Sequence, residues 1–395
     1  MRVLQINATY GYGSTGTIAK LISDVVEENG DEAYAAYQYG SGDIKNGYRI
    51  GNPADWKWHA IMTRVSGKQG YNSKTATRKL LKWMDEVKPD VVHLHNLHAN
   101  YINVDILCDY LAKNNIPTVL SLHDCWPFTG KCWHFSYEGC DKWKKECGDC
   151  PTLKKEVPSW FFDRTSEVLK DKCGHLNKIP SLTIVGCSDW ISNLARESRL
   201  GENRIVTVHN GIDLNVFKPR ESDFRAKHAI NDNEKMVLGV SASWSDKKGI
   251  DTFIELADML SEDYRIVLVG DTDKVLPDRI IHIPQTENRE ELAEIYTAAD
   301  VFVNPTLEEV LGLVNLEALA CGTPVATFKT GGCVECIDED SGLVVQNNTA
   351  ESLKNAIEMV CGSKISKEDC RKRAEKFDAR DKNRQYYSLY KEITA

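Results

Sequence analysis

Two features that many classes of protein require are missing from this sequence of 395 residues: a long apolar run and an excess of positive charge. No stretch approaches the roughly 18 consecutive apolar residues that span a membrane. The formal net charge is −9, which argues against a nucleic-acid-binding protein, and the basic run at 142–145 is interpreted as a solvated loop. Internal repeats and low-complexity segments are absent as well. What remains is a globular chain whose length predicts two or three domains, at about 150 residues each.

Signs of secretion are missing too. The first residues predict a buried strand that enters a glycine-rich turn, which differs from a signal peptide. Thirteen cysteines is an odd number, so complete pairing into disulfides is excluded. We therefore expect a cytoplasmic protein in a reducing compartment, with membrane association left open.

Two patterns alternate along nearly the whole chain. Short β-branched runs are followed by amphipathic segments, which predicts a parallel α/β architecture. Apolar residues at helical spacing over 18–26 predict a first helix that ends at Gly30. The predicted strands lie at 3–8, 90–95, 118–123, 182–188 and 205–209, and then at 236–241, 265–270, 280–284, 300–304 and 324–327.

This alternation predicts two Rossmann-like lobes. The polar segment 218–234 is the predicted joint, because domain boundaries favour charged and exposed segments. The domains are accordingly predicted at 1–220 and 221–375. The stretch 376–395 predicts one more helix, surplus to the strands of the second lobe, which would pack back on the first lobe.

A glycine-rich turn follows the first predicted strand and opens the first helix. It contains Gly13, Ser14, Thr15 and Gly16. Backbone N–H groups in such a turn, together with the helix dipole, favour a phosphate group. A dinucleotide-binding enzyme also needs an acidic residue at the end of its second strand, about 20 residues further on. The stretch 34–40 contains none, so NAD binding is disfavoured, while a phosphate site and a plain structural turn both remain.

Glu309 and Glu317 are separated by seven residues in a segment that runs from a predicted strand into a predicted helix near Gly312. This E-x7-E arrangement resembles the donor-binding segment of retaining glycosyltransferases of the GT-B fold, in particular family 4. The resemblance implies two Rossmann-like lobes with a central donor cleft and a C-terminal helix. It covers nearly the whole chain, because the segment 208–219 and the glycines and acid within 331–335 also resemble family motifs.

The resemblance implies a role for each residue of this segment. The backbone at Gly312, Leu313 and Val314 would face the diphosphate of a nucleotide sugar, since a helix N-terminus favours anions. Glu317 would bind the ribose hydroxyls. Glu309 would hydrogen-bond the hydroxyls of the sugar ring.

A basic clamp on the donor phosphates is predicted at Lys248, which precedes a glycine as the family's lysine does. Lysine suits a leaving diphosphate because it is a mobile point charge. The family usually has an arginine shortly before this lysine, but Ala242, Ser243 and Trp244 stand there in this sequence. The departure removes one of two cations that face the diphosphate. Thr286 is predicted to lie near the nucleotide base.

Histidines end two neighbouring predicted strands of the first lobe. His123 resembles the family's strand-end histidine, which would contact the donor sugar or stabilise an oxocarbenium-like transition state. His95 and His98 end the neighbouring strand and are interpreted as structural or acceptor-lining residues. A metal site built from these histidines stays open as an alternative.

Five cysteines crowd the segment 125–151 together with six aromatic residues. Four of them include a C-x2-C pair and predict a structural zinc site that would organise a long loop: Cys132, Cys140, Cys147 and Cys150. Free thiols and disulfides remain as alternatives. Similar cysteine and aromatic runs occur in polysaccharide-building members of the family, so the loop is expected to line the acceptor side.

These features predict a retaining glycosyltransferase that moves a sugar from a UDP- or GDP-sugar to a saccharide or lipid-linked acceptor in cell-surface polysaccharide biosynthesis. No cofactor is expected in catalysis, because helix N-termini and Lys248 supply the positive field that a divalent metal supplies elsewhere. Two alternatives remain. One is a non-catalytic partner subunit that binds nucleotide sugar, which the missing arginine favours, and the other is an epimerase of the same fold. Peripheral contact with a membrane also stays open.

Overall fold

Thirteen strands form two separate parallel sheets in the computed structural model, which describes all 395 residues. Contacts divide the chain into two compact units, Met1–His209 with Arg380–Ala395, and Asn210–Ala379. Each unit contains one sheet. The predicted fold class, parallel α/β with two Rossmann-like lobes, is therefore confirmed.

The elements carry labels in chain order. The strands are β1 (Arg2–Tyr10), β2 (Glu32–Gly40), β3 (Gly47–Arg49), β4 (Val91–Leu94), β5 (Thr118–Leu122), β6 (Leu182–Gly186), β7 (Arg204–Thr207), β8 (Lys235–Ser243), β9 (Tyr264–Asp271), β10 (Ile280–Ile283), β11 (Val301–Asn304), β12 (Val325–Phe328) and β13 (Gly342–Val345). The helices are α1 (Gly13–Glu28), α2 (Pro53–Ser66), α3 (Lys74–Val87), α4 (Val104–Lys113), α5 (Thr165–Leu176), α6 (Asp189–Glu197), α7 (Phe224–Lys227), α8 (Ile250–Met259), α9 (Arg289–Ala298), α10 (Leu313–Ala320), α11 (Ala350–Gly362), α12 (Lys367–Glu375) and α13 (Ala379–Thr394). Short 3-10 turns lie at 126–128, 142–144, 246–248 and 331–336.

Each sheet contains one reversal of strand order. The order is β3-β2-β1-β4-β5-β6-β7 in the first unit and β10-β9-β8-β11-β12-β13 in the second. The chain enters each sheet at β1 or β8, builds one side, and then crosses to the other side at β4 or β11. In doubly wound sheets, ligands bind at this reversal, outside the carboxyl ends of the strands. The segments after β1 and β4, and those after β8 and β11, are therefore the places where a site is expected.

The predicted strands are present in both sheets, and their composition explains why. Strands β4, β5 and β6 are buried at every residue, as expected for parallel strands that helices cover on both faces. Strands β2, β3 and β13 are absent from the predicted strands. The edge strands β3 and β13 are three and four residues long and partly exposed, so they carry only a weak apolar signal. Strand β2 is nine residues long but contains no β-branched residue, so it lacks the composition by which the other strands were predicted.

The C-terminal helix α13 belongs to the first unit. Tyr386, Leu389 and Tyr390 lie in one core cluster with Val3 and Val91 of the sheet. The segment 218–234 lies within the second unit, whose core includes residues on either side of it. No helix of the chain is both long enough and apolar enough to cross a bilayer.

Candidate functional site

In the second unit, the loops that follow β8 and β11 lie against each other at the reversal of strand order. The N–H of Leu307 donates to the carbonyl of Lys247 at 2.8 Å. Gly249 has a φ of +79°, and a Cβ there would lie 2.4 Å from the carbonyl oxygen of Pro305, so this approach requires glycine. Lys248 stands between these two contacts and is therefore fixed in position.

Two ion pairs join these loops. Lys248 Nζ lies 2.9 Å from Glu309 Oε2, and Lys247 Nζ lies 2.8 Å from Glu308 Oε2. The other carboxylate oxygen of Glu309 accepts the N–H of Val310 at 3.0 Å. The structure thus brings the predicted clamp lysine and the predicted sugar-binding acid into direct contact.

Helix α10 begins directly after these acids. Gly312 precedes it with a φ of +85°, and the first turn has neither a side-chain cap nor an acidic residue. The turn is held in place by Asn304, whose Nδ2 donates to Asn315 Oδ1 at 2.9 Å. The N–H groups of Leu313 and Val314 have no partner within the helix, because the first N–H groups of any helix lack one. Together with the helix dipole they form a site suited to an anion.

Glu317 lies on α10 and is partly buried. The O–H of Tyr296 donates to Glu317 Oε2 at 3.2 Å. Burial raises the pKa of Glu317 to about 7, and the nearby positive charge of Arg289 offsets this only in part. A carboxyl group that has lost water in this way gains from hydrogen bonds with ligand hydroxyls.

The family's arginine is expected five or six residues before Lys248, where this chain has Ser243 and Ala242, both exposed. The next residue, Trp244, is buried, packs edge-on against Phe253 with ring centroids 5.3 Å apart, and donates its indole N–H to the carbonyl of Val269 at 3.1 Å. None of these residues supplies a charge, so the two lysines carry the positive charge of the paired loops. Thr286, predicted to face the base, is partly buried in the loop between β10 and α9.

In the first unit, the turn after β1 is built for close backbone packing. The N–H of Gly11 donates to the carbonyl of Gly16 at 3.0 Å, and a Cβ at Gly16 would lie 2.7 Å from Thr9 Oγ1. The first turn of α1 consists of Gly13, Ser14, Thr15 and Gly16. This turn has neither a side-chain cap nor an acidic residue, so it is a second uncapped helix N-terminus.

A buried histidine, His95, and a partly buried one, His123, form a hydrogen-bonded row at the carboxyl ends of β4 and β5. Gln5 Nε2 donates to the hydroxyl of Tyr390 at 3.3 Å, so Gln5 Oε1 faces His95 Nε2, at 2.6 Å. An amide oxygen only accepts, so the proton of His95 lies on Nε2 and its Nδ1 is an acceptor. That Nδ1 faces His123 Nε2 at 2.9 Å, and Nε2 therefore carries the proton of His123.

This row leaves His123 neutral, with a lone pair on Nδ1. Burial lowers the pKa of His123 to about 4, although the charge of Asp124 acts in the opposite direction. The Nδ1 atom is buried and has no hydrogen-bond partner. A buried acceptor without a partner costs stability unless a ligand supplies a donor, and a sugar hydroxyl is such a donor. Both nitrogens of His95 are used within the row, which leaves it no free lone pair for a metal.

Family models match most of the chain. Residues 42–216 match the model described as Glycosyltransferase Family 4, and residues 220–377 match the model described as Glycosyl transferases group 1. The chain belongs to the family 4-like GT-B glycosyltransferases. The two matches meet close to the boundary between the two units, so each unit of this glycosyltransferase corresponds to one family model.

Curated relatives and solved structures agree with this assignment. The D-inositol 3-phosphate glycosyltransferase of Mycobacteroides abscessus is 32% identical over 192 residues, which are 44% of this chain and 43% of that protein. The matched stretch spans less than half of that relative. WcaC of Escherichia coli K12, provisionally named as a colanic acid biosynthesis glycosyl transferase, is 22% identical over 87% of both chains. Anabaena HepE in complex with UDP has a TM-score of 0.69 at 16% identity, over 99% of this chain and 100% of that one.

The first unit of this glycosyltransferase also contains an open cavity of about 620 Å³. Its lining combines aromatic and polar side chains, among them Gln38, Tyr39, Arg49, Trp56, Lys57, Gln69, His98, Asn100 and Trp133. The rings of Tyr39 and Trp56 are 4.7 Å apart, and the Arg49 guanidinium lies 4.9 Å from the Trp56 ring. Apolar faces with a few fixed polar groups are typical of small-molecule sites. Apart from His98 and the aromatic loop that carries Trp133, no sequence pattern indicated this cavity, because its residues come from distant segments.

His98 links this cavity to the end of β5. Its Nε2 lies 2.8 Å from Asp124 Oδ2, and the N–H of Trp126 donates to the other oxygen of Asp124 at 2.9 Å. The carbonyl of His98 accepts from Gln69 Nε2 at 2.6 Å. Asp124, the residue after His123, therefore holds the imidazole of His98, while Gln69 holds its backbone.

The four cysteines of the loop are brought together in the same unit. Cys132, Cys140, Cys147 and Cys150 line one small cavity, and all four are free thiols. The Oγ1 of Thr152 lies 3.4 Å from the sulfurs of both Cys132 and Cys150. The four thiols of this loop therefore lie around one cavity.

Proposed function

We propose that this glycosyltransferase transfers a sugar from a UDP- or GDP-sugar to a saccharide or lipid-linked acceptor, with retention of configuration. The observation that carries the proposal is the uncapped N-terminus of α10, flanked by the Lys248–Glu309 pair at the reversal of the second sheet. A nucleotide sugar presents a diphosphate, a sugar ring and a ribose, and this reversal offers a chemically matched group for each. Similar proteins solved with UDP and with UDP-glucose support a uridine nucleotide.

The second unit binds the donor in this proposal. The N–H groups of Leu313 and Val314 hold the diphosphate, and Lys248 neutralises the charge that develops as it leaves. Glu309 exchanges part of its contact with Lys248 for hydroxyls of the sugar ring. Glu317 accepts hydrogen bonds from the ribose. Fixed N–H groups and a lysine supply the positive field, so the transfer requires no divalent metal.

The first unit positions the sugar and the acceptor. His123 is neutral and presents its Nδ1 lone pair, so it accepts a hydrogen bond from a sugar hydroxyl rather than acting as an obligate base. The departing phosphate oxygen takes the proton of the acceptor hydroxyl on the same face of the sugar, which retains the configuration. The uncapped turn at 13–16 offers further backbone N–H groups that suit a phosphate.

The cavity of about 620 Å³ holds the saccharide acceptor. Tyr39 and Trp56 offer apolar faces for sugar rings, and Arg49 and His98 offer hydrogen bonds. The likeness to WcaC supports a role in cell-surface polysaccharide assembly, at the cytoplasmic side and with peripheral contact to a membrane where the acceptor is lipid-linked.

The test is a thermal-shift screen of UDP, GDP, ADP and their common sugar conjugates on the wild type and on Glu317→Ala. A nucleotide at 100 times its Kd adds about 2.7 kcal/mol of stability. One nucleotide class should stabilise the wild type and lose most of this effect in the variant. Release of nucleoside diphosphate should then require an acceptor, and NMR of the product should show the donor's anomeric configuration.

Two outcomes point elsewhere. Nucleotide binding without release of nucleoside diphosphate, whatever the acceptor, favours the non-catalytic partner subunit, for which the uncharged Ala242 and Ser243 at the arginine position are the supporting observation. Conversion of the donor sugar without an acceptor favours an epimerase. No stabilisation by any nucleotide contradicts the proposal as a whole.

A further inference from the structure

The loop from 129 to 164 is unusually long for a segment with so little secondary structure. It joins the 3-10 turn at 126–128 to α5, and only one 3-10 turn, at 142–144, interrupts it. Loops of this length in a compact domain generally have a function or another source of order. The four cysteines of the loop lie around one cavity, where a bound metal ion would order the loop.

The cysteines surround a space of single-ion size. Cys132, Cys140, Cys147 and Cys150 line a cavity of about 20 Å³, which is enough for one water-sized sphere. Trp143 also lines it and is buried, with its ring 4.9 Å from that of Phe135 and 5.3 Å from that of Phe128. Aromatic rings thus shield the sulfurs on one side.

The backbone around the sulfurs is arranged as in metal-binding knuckles. Gly148 and Asp149 have φ values of +135° and +44°, so the chain between Cys147 and Cys150 makes a tight turn. The backbone N–H groups of Thr152 and Gly130 lie near the sulfurs of Cys150 and Cys147, where they favour the thiolate form. Neighbouring donors of this kind orient ligand atoms and stabilise negative charge on them.

The surroundings of the loop also carry buried positive charge. Lys172 of α5 is fully buried, its Nζ has no hydrogen-bond partner, and it lies 3.6 Å from the ring centroid of Trp126. The thiols of Cys132 and Cys147 are among the groups that act on it electrostatically. A buried ammonium without a partner is costly, and an anionic centre beside it would remove that cost.

We propose that these four cysteines bind one Zn²⁺ as a closed, structural site. Each thiol gives its proton to solvent, and the four thiolates with the divalent ion carry a net charge of −2, which Lys172 offsets in part. No three of the sulfurs lie within 4.8 Å of one another, so binding must draw them inward and tighten the loop. Four protein ligands leave no open position for catalysis.

A zinc ion at this site also affects acceptor binding, a consequence that rests on the proposed function. Trp133 follows Cys132 directly and lines the cavity of about 620 Å³. A zinc-ordered loop therefore fixes one wall of the acceptor site. Loss of zinc should weaken acceptor binding and leave the donor site on the second unit intact.

The experiment measures metal in the full chain, purified under reducing conditions without chelator and then dialysed. Elemental analysis should give about one zinc per chain. Cys140→Ser should lose most of it, whereas Cys361→Ser, which changes a partly buried thiol on α11, should retain it. Replacement by Co²⁺ should produce the absorption spectrum of a tetrahedral tetrathiolate site.

A second measurement covers the case in which Cys140→Ser does not fold. Wild-type protein treated with a zinc chelator should be cleaved by protease within 129–164, and added Zn²⁺ should restore protection. Less than a tenth of an equivalent of metal after addition of zinc overturns the proposal, as do disulfides among the four cysteines in protein taken directly from the cell. Bound zinc in a protein without transferase activity would contradict the proposed function alone.

Discussion

The two strand-order reversals differ in the charge of their side chains. In the second unit, lysines and glutamates form ion pairs beside an uncapped helix, and the ion pair Lys248–Glu309 remains partly exposed. In the first unit, histidines are buried, neutral and linked by hydrogen bonds to Gln5 and Tyr390. The first arrangement suits an ionic diphosphate, and the second suits uncharged hydroxyls. Charged side chains are therefore concentrated at the second reversal, whereas the histidine row of the first offers a neutral acceptor.

The largest expected effect comes from removing the cation. Lys248→Met should lower kcat/KM by roughly 10³-fold, because no arginine shares the charge of the leaving diphosphate. Lys274→Met is the matched control, since Lys274 forms ion pairs with Asp246 and Asp251 on the surface and its loss should leave the rate unchanged. Steady-state kinetics of both variants make the measurement. Equal losses would show that the charge at this reversal has no special role.

The histidine row gives the next largest effect. His123→Phe keeps an aromatic ring but removes both the Nδ1 lone pair and the Nε2–H donor, and kcat should fall by roughly 10²-fold. The thermal shift by nucleotide should stay the same, because the diphosphate is held by the other unit. Gln5→Met removes the acceptor that keeps the proton of His95 on Nε2, and kcat should fall by about tenfold. An unchanged kcat in His123→Phe would contradict the proposal that His123 binds a sugar hydroxyl.

Buried charge at Glu317 should make stability depend on pH. Its folded pKa of about 7 lies above its ordinary value, so the ionised form is disfavoured in the folded state and stability falls as pH rises from about 4.5 to 7. This amounts to at most about 3 kcal/mol. Glu317→Gln should therefore gain stability relative to the wild type at pH 8 but not at pH 4.5. Denaturant unfolding at both pH values tests this, and an equal difference at both would contradict the assignment.

The acceptor cavity should give the smallest effect. Trp133→Ala should raise the KM for the acceptor by about fivefold, with the donor KM unchanged, because one stacked aromatic contributes about 1 kcal/mol. Phe161→Ala removes an exposed aromatic that does not line the cavity and serves as the control. If Trp133→Ala changed the donor KM instead, the cavity would bind the donor and not the acceptor.

The two units also differ in how much of each site local sequence patterns could predict. The second-unit site lies largely in one continuous segment, 304–325, so strand, turn, acids and helix could all be read from local pattern. Strand-end histidines were visible for the same reason. The groups that fix the proton of His95, the direct partner of His123, were not, because Gln5 and Tyr390 stand at opposite ends of the chain and meet only after α13 packs on the sheet. The acceptor cavity is likewise made of side chains from separate elements, which periodicity does not bring together.

The most direct test of the division between the two units is hydrogen–deuterium exchange with and without UDP, and with GDP in parallel. The account predicts slower exchange for the amides of 307–321, centred on Leu313 and Val314, because their N–H groups hold the diphosphate. Slower exchange there should disappear in Glu317→Ala. Protection confined to the first unit, with 307–321 unchanged at saturating nucleotide, would contradict the assignment of the donor to the second unit.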